Sequence, residues 1–265
     1  MDAGGVGRGE QPEHLDVRPG EIVGLVGESG SGKTQTAFAI LGLLPDGGRV
    51  AAGSVIVSSV ETVGLPERRH RALRGGRVAY VPQEPMSNLD PATTIGAQLT
   101  EPMRHVLHLS RAEARAKALD LLRQVEIGAP ERVYRSYPHE ISGGMAQRVL
   151  IAGAMACDPV LLIADEPTTA LDVRVQAEVL GLLRRLRDER GLGVLLVTHD
   201  LGVVADLCDR VAVMEGGRIV ESGDTERTLT APAAPYTRTL LDAVLDDAPS
   251  RPAWTPRPTP ETRPA

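Results

Sequence analysis

Aromatic side chains are nearly missing from this chain. Its 265 residues hold one Phe, four Tyr and one Trp, 2% in all, so aliphatic side chains must fill the core. Cysteine is scarce as well. Cys157 and Cys208 lie in apolar stretches with no CxxC neighbour and no nearby histidine pair, so both read as small buried hydrophobes in a reducing compartment. No apolar run approaches the ~18 residues a membrane-crossing helix needs. The longest, Val149–Cys157, is half that length and reads as a buried helix. The amino-terminal stretch contains no signal-peptide core. At a membrane, the crossing would fall to other subunits. Positive charge is not in excess either: the formal net charge is −6, which argues against nucleic acid as the main partner.

What is present is an ordinary globular balance, 42% hydrophobic and 24% charged, long enough for one large domain or two small ones. Residues 1–13 are glycine-rich and polar and are expected to be flexible; no strand precedes these glycines and no helix follows, so they are not a nucleotide loop. Order begins near Leu15, with a turn at Arg18-Pro19-Gly20 leading into a central strand, Ile22–Val26. Further strands are expected at Val78–Val81, Val160–Ala164, Val194–Thr198 and Val211–Met214, the last pairing with Arg218–Glu221 as a hairpin. Ser110-Arg111-Ala112-Glu113 is a capping box opening a helix, with Ala118, Leu121, Leu122 and Val125 on one face. Asp172 caps another, striped by Val175, Val179, Leu182 and Leu186 and ended by Gly191.

Alternation of strands and helices implies an α/β fold, a mostly parallel central sheet covered by helices on both faces. Residues 95–157 offer helices and no good strand, and are expected to form a helical subdomain inserted into that core. The end of the chain, about 246–265 with six prolines after Asp247, reads as a flexible tail.

Gly27-Glu28-Ser29-Gly30-Ser31-Gly32-Lys33-Thr34 fits GxxxxGK[ST] directly after a strand. Glycines let backbone N–H groups curl around phosphate oxygens while the following helix aims its positive end at them. Lys33 can reach the β- and γ-phosphates and Thr34 can ligate Mg²⁺. A loop with a solvated lysine is the plain alternative; the strand–loop–helix context argues against it. Leu161-Leu162-Ile163-Ala164-Asp165-Glu166 is an apolar strand ending in acids, which puts Asp165 at the sheet's carboxyl edge, able to hold Mg²⁺ through water. Glu166 is then the candidate general base, although adjacent acids also occur as solvated turns. His199 follows another strand and can reach a γ-phosphate from the same edge, or serve structure alone. His14, His70, His105, His108 and His139 show no metal spacing. Ser142-Gly143-Gly144 at a helix start offers a hydroxyl, free amides and a dipole, a second anion cradle. One nucleotide needs only one cradle, so the second suits a nucleotide held by another protomer.

Together these elements resemble the nucleotide-binding domain of ABC transporters, over roughly residues 15–245. Gly27–Thr34 resembles Walker A, Gln83 the Q-loop glutamine, Ser142-Gly143-Gly144-Met145 the family signature, Leu161–Glu166 Walker B, Ala170-Leu171-Asp172 the D-loop and His199 the switch histidine. The resemblance implies an ATPase with ATP and Mg²⁺ as cofactors, the metal held by Thr34, Gln83 and Asp165. It also implies a head-to-tail pair of cassettes, homodimeric or with a sibling, in which Ser142–Met145 and Asp172 contact the partner's nucleotide. Gln83 would couple the site to a coupling helix of transmembrane permease subunits, at the cytoplasmic face of the membrane. Gln83–Pro91, Tyr137–Glu140, Pro167–Val173 and Pro235-Tyr236-Thr237-Arg238 look like the oligopeptide, dipeptide and nickel importer ATPases, which work indirectly with a solute-binding protein.

Two departures stand out. No Phe, Tyr or Trp precedes Phe38 to stack on adenine, and the first strand of the family's amino-terminal antiparallel sheet is missing. A start lying upstream is expected; the alternative is a shortened cassette with weak nucleotide binding. No cysteine follows Cys208, so no iron–sulfur site is expected. A soluble ABC ATPase acting on nucleic acid is the other reading, disfavoured by the absence of a basic patch or a long coiled-coil insertion.

Overall fold

The computed structural model describes residues 14–169 and 171–246. The expectations for residues 1–13, for Ala170 and for the tail after Asp246 lie outside the described residues.

Among the described residues eight strands form: β1 Ile22–Val26, β2 Ile56–Val57, β3 Val60–Glu61, β4 Val78–Val81, β5 Leu161–Asp165, β6 Gly193–Val197, β7 Arg210–Glu215 and β8 Arg218–Asp224. The main sheet runs in the order β4-β5-β6-β1-β7-β8. The first five of these strands are mutually parallel, and β8 returns antiparallel with an irregularity between Val213 and Met214. Expected strand ends shift by one residue at β5 and β6. Thr198 falls outside β6 and its hydroxyl accepts the Asp200 amide instead. The expected Arg218–Glu221 arm extends to Asp224. A separate two-stranded antiparallel hairpin pairs β2 with β3.

Side chains alternate across the sheet with period two. Ile22, Val26, Ala79, Val81, Leu162, Ala164, Val194, Leu196, Val211 and Val213 face one core, and Leu25, Val78, Ile163, Leu195, Val197 and Ala212 face the other. Both layers are almost wholly aliphatic, as the aromatic poverty requires.

Among the described residues ten helices form: α1 Lys33–Leu41, α2 Glu67–Leu73, α3 Ile95–Val106, α4 Arg111–Gln124, α5 Pro130–Arg135, α6 Gly143–Ala154, α7 Val173–Arg190, α8 Leu201–Leu207, α9 Thr225–Thr230 and α10 Pro235–Asp246. Between residues 95 and 157 the only elements are α3–α6 and short 3₁₀ turns. The Ser110–Glu113 capping box is made in full, and Gly191 (φ 62°) ends α7. The apolar run ending at Cys157 is α6 closed by a 3₁₀ turn. Both cysteines are buried and free.

Candidate active site

Parallel strands send their carboxyl ends to one edge of the sheet, and four connections meet there. The Gly27–Thr34 loop leaves β1 at the point where strand order reverses, with β6 on one side and β7 on the other. Gln83 follows β4, Glu166 follows β5 and His199 follows β6. Residues more than a hundred positions apart are thereby brought together.

The loop is tight against its support. A Cβ on Gly27 (φ 152°) would stand 2.1 Å from the Met214 carbonyl oxygen, so no other residue fits. The Gly217 amide donates to Ser31 O at 3.0 Å, tying the loop to the β7–β8 turn. No side chain caps the start of α1, which leaves its positive end open to an anion. Lys33 is buried; its Nζ donates to Gly27 O at 2.7 Å and Glu28 O at 2.8 Å, curling the loop around the ammonium. Burial pulls the Lys33 pKa down against the opposing charges of Glu166 and Asp165.

Asp165 is 5% exposed. Tyr80 Oη donates to its Oδ2 at 3.1 Å, and Thr34 lies beside the same carboxylate. Burial pushes the Asp165 pKa up, the Thr34 hydroxyl and the Tyr80 bond oppose this, and the neighbouring Glu166 charge adds to it. A carboxylate beside a threonine hydroxyl at the mouth of a phosphate loop is a hard oxygen donor pair, and it fits Mg²⁺.

Glu166 occupies the left-handed region (φ 46°), and its amide donates to Val197 O at 2.8 Å. Three partners hold its carboxylate. Gln83 Nε2 and Thr169 Oγ1 donate to Oε2 at 2.9 and 2.8 Å, and His199 Nδ1 stands 3.0 Å from Oε1. Burial alone would raise its pKa; the His199 and Thr169 bonds and the charges of His199 and Lys33 outweigh burial and lower it. An ionised carboxylate, 18% exposed and facing the loop lysine, can accept a proton from water.

The second cradle stands apart. Ser142 Oγ accepts the Met145 amide at 3.3 Å as the cap of α6, and Gly144 lies so close to α7 that a Cβ would meet Val175 Cγ1 at 2.8 Å. Asp172 is exposed and accepts the Val175 amide at 3.0 Å, capping α7. Among the described residues, no hydrogen bond of Ser142, Met145 or Asp172 reaches the Gly27–Thr34 loop. Glu28, Ser29, Gly30 and Thr34 are exposed at the loop's rim, whereas Ser31 is buried and Gly32 half-buried.

Sequence reasoning missed Tyr80, Thr169 and Tyr236, whose hydroxyl accepts the Glu28 amide at 3.2 Å. Thr169 had a signal, three residues after Glu166. Tyr80 pairs in register with Ile163, two positions before Asp165, a relation visible only once β4 lies beside β5.

Residues 11–169 match the family model described as ABC transporter. The chain is 50% identical over 234 residues to the probable peptide ABC transporter ATP-binding protein y4tR of Sinorhizobium fredii, spanning 88% of this chain and 70% of that protein. It is 49% identical over 228 residues to the probable D,D-dipeptide transport ATP-binding protein DdpD of Escherichia coli, spanning 86% and 70%. It is 46% identical over 231 residues to the oligopeptide transport ATP-binding protein OppD of Salmonella typhimurium, spanning 87% and 69%. Among solved structures, the ATP-binding cassette MJ0796, a dimer in a post-hydrolysis state bound to ADP and Pi, matches with a TM-score of 0.71 at 30% identity, over 80% of this chain and 88% of that one. A family match over residues 11–169, with half of the aligned residues shared with such a relative, settles the kinship: the chain belongs to the ABC transporter family, as one of its ATP-binding cassettes.

Proposed function

We propose that this cassette hydrolyses ATP to drive the import of peptides or a similarly small solute, nickel included, through transmembrane permease subunits. The observation that carries the reading is the Glu166 carboxylate, held by Gln83, Thr169 and His199 beside the lysine of a phosphate loop. The solute class rests on the peptide, dipeptide and oligopeptide functions named for the relatives.

On ATP binding, Lys33 exchanges Gly27 O and Glu28 O for β- and γ-phosphate oxygens, and the open end of α1 takes up phosphate charge. Thr34, Gln83 and, through water, Asp165 would hold Mg²⁺, whose charge neutralises the β- and γ-phosphate oxygens. A water oxygen attacks the γ-phosphorus, the bond from that phosphorus to the ADP oxygen breaks, and the water's proton passes to Glu166. His199 keeps Glu166 aimed and donates to the γ-phosphate.

Ser142–Met145 and Asp172 serve the nucleotide of a second cassette, whether a copy or a sibling. The separation of the two cradles supports this, as does the dimeric state of the MJ0796 cassette. No described helix is long and apolar enough to cross a membrane. The permease contact falls to the cleft of about 350 Å³ beside Tyr80, Leu89, Leu99, Pro102 and Leu150, where a coupling helix at the cytoplasmic face of the membrane would dock. Substitution of Glu166→Gln should lower turnover by about 10²–10⁴-fold with ATP binding intact; normal turnover would remove Glu166 as the base. Co-purification with a polytopic membrane protein supports transport, and co-purification with nucleic acid would refute it.

A further inference from the structure

Tyr236 lies at the start of α10, in a stretch that carries family likeness but no chemical role so far. Its hydroxyl accepts the backbone amide of Glu28 at 3.2 Å, a contact across 208 residues of sequence. The base of α10 is itself anchored. Glu221 on β8 accepts the amides of Ala233 at 2.8 Å and Ala234 at 3.0 Å, and Thr237 is buried. Arg238 donates to the carbonyls of Pro232 and Ala233, both at 3.1 Å, which closes the turn before the helix. The Tyr236 ring packs against the main core beside Leu240 and Leu241. The hydroxyl is therefore presented from a fixed support.

The Gly27–Glu28 segment is gripped from two sides. Lys33 Nζ holds the carbonyls of Gly27 and Glu28, and Tyr236 holds the Glu28 amide. These grips differ in what nucleotide does to them. Lys33 must leave both carbonyls to reach phosphate. Tyr236 bonds an amide at the entrance of the loop, on the side away from Lys33, and can stay.

We propose that Tyr236 is a positioning residue for ATP binding, bracing the entrance of the phosphate loop from α10 so that the cradle keeps its shape when Lys33 releases it. This inference rests on the loop being the nucleotide site, as proposed above. Holding the loop in advance removes part of the ordering that the nucleotide would otherwise impose. The hydroxyl touches no reacting atom, so its loss should act on affinity and leave the chemical step alone.

Tyr236→Phe keeps the ring and deletes the hydroxyl. Titration calorimetry of the full chain with ATP and magnesium should give a Kd weakened about two- to tenfold, the fold-change that one net hydrogen bond carries. The kcat at saturating ATP and the thermal midpoint should match the parent. Tyr236→Leu, which also loses ring packing, should lower the midpoint in addition. An unchanged Kd in Tyr236→Phe, with Lys33→Ala still abolishing binding, overturns the inference and leaves the function standing. A lowered midpoint with a matching fall in kcat in Tyr236→Phe also overturns it, since the hydroxyl would then serve folding alone. Failure of the parent chain to bind ATP would overturn the functional reading and this inference together.

Discussion

His199 Nδ1 stands 3.0 Å from Glu166 Oε1. The pair is a product of sheet register: Asp165 on β5 lies opposite Val197 on β6, so the residues just beyond each strand meet. Replacing His199 by Ala removes one of three partners from the carboxylate together with the donor proposed for the γ-phosphate. Turnover should fall by about 10²–10³-fold, the usual cost of one lost transition-state donor, while ATP affinity changes little. Single-turnover hydrolysis beside equilibrium binding separates the two effects. Equal rates in variant and parent would remove His199 from the chemistry.

Tyr80 donates to the most buried carboxylate of the site, and burial and the Asp165 charge push its own pKa up, so it remains a protonated donor at neutral pH. Tyr80→Phe should destabilise the nucleotide-free protein by about 1.5–3 kcal/mol in urea unfolding, the range for a hydrogen bond to a charged group. The loss should shrink as the medium is acidified. The bond favours the ionised form of Asp165, and only the weaker bond between neutral groups remains once that group is protonated. A loss independent of pH would show that the hydroxyl's contribution does not depend on the ionised form of Asp165.

Arg148, on α6 behind Ser142–Met145, joins three elements. It donates to Val125 O at 2.9 Å, to Glu126 Oε2 at 3.1 Å and to Glu178 Oε2 at 2.6 Å, with its side chain 10% exposed. Arg148→Met keeps the stem and strips the charge. Both carboxylates are half-exposed and can rehydrate, so the loss should be about 1–3 kcal/mol, below the range for a fully buried pair. Because Glu178 lies on the helix capped by Asp172, hydrogen exchange should rise in both α6 and α7. A change confined to α6 would argue against the link.

Acid should undo the clamp at the amino-terminal end of the described chain. Arg210 grips Asp16 with two bonds, at 3.0 and 3.2 Å, and this bonding, against a smaller opposing effect of burial, holds the Asp16 pKa below its ordinary value. A depressed carboxylate stabilises the fold above its unfolded pKa of about 3.9, and that contribution fades as pH falls through the lower folded value. Asp16→Asn should therefore be less stable than the parent at pH 7, by up to about 1 kcal/mol for a partly exposed pair. The gap should close in acid. Urea midpoints measured from neutral pH down into that range would reveal it, and a gap that persisted would assign the effect to shape.

Much of the site could be read from the chain because phosphate chemistry dictates local patterns. Gly27–Thr34 needs its glycines at fixed spacing, and the acids after Leu161–Ala164 need a strand to deliver them. The aliphatic runs, the capping box at Ser110 and the Gly191 stop are equally local, and all formed. Strand ends slipped by a residue because the last pair of a strand depends on its neighbour, as with Thr198, which turns to cap Asp200.

The sequence by itself determined the elements, the glycine loop Gly27–Thr34 and the identity of the acids, since each depends on residues near in the chain. Only the tertiary structure decided which groups touch. It set Tyr80 against Asp165, Gln83 and His199 around Glu166, and Tyr236 beneath Glu28. Those contacts follow from the strand order β4-β5-β6-β1 and from where α10 docks. Pairing order and docking are choices among whole elements, made by burying two aliphatic faces at once, and no local pattern encodes them.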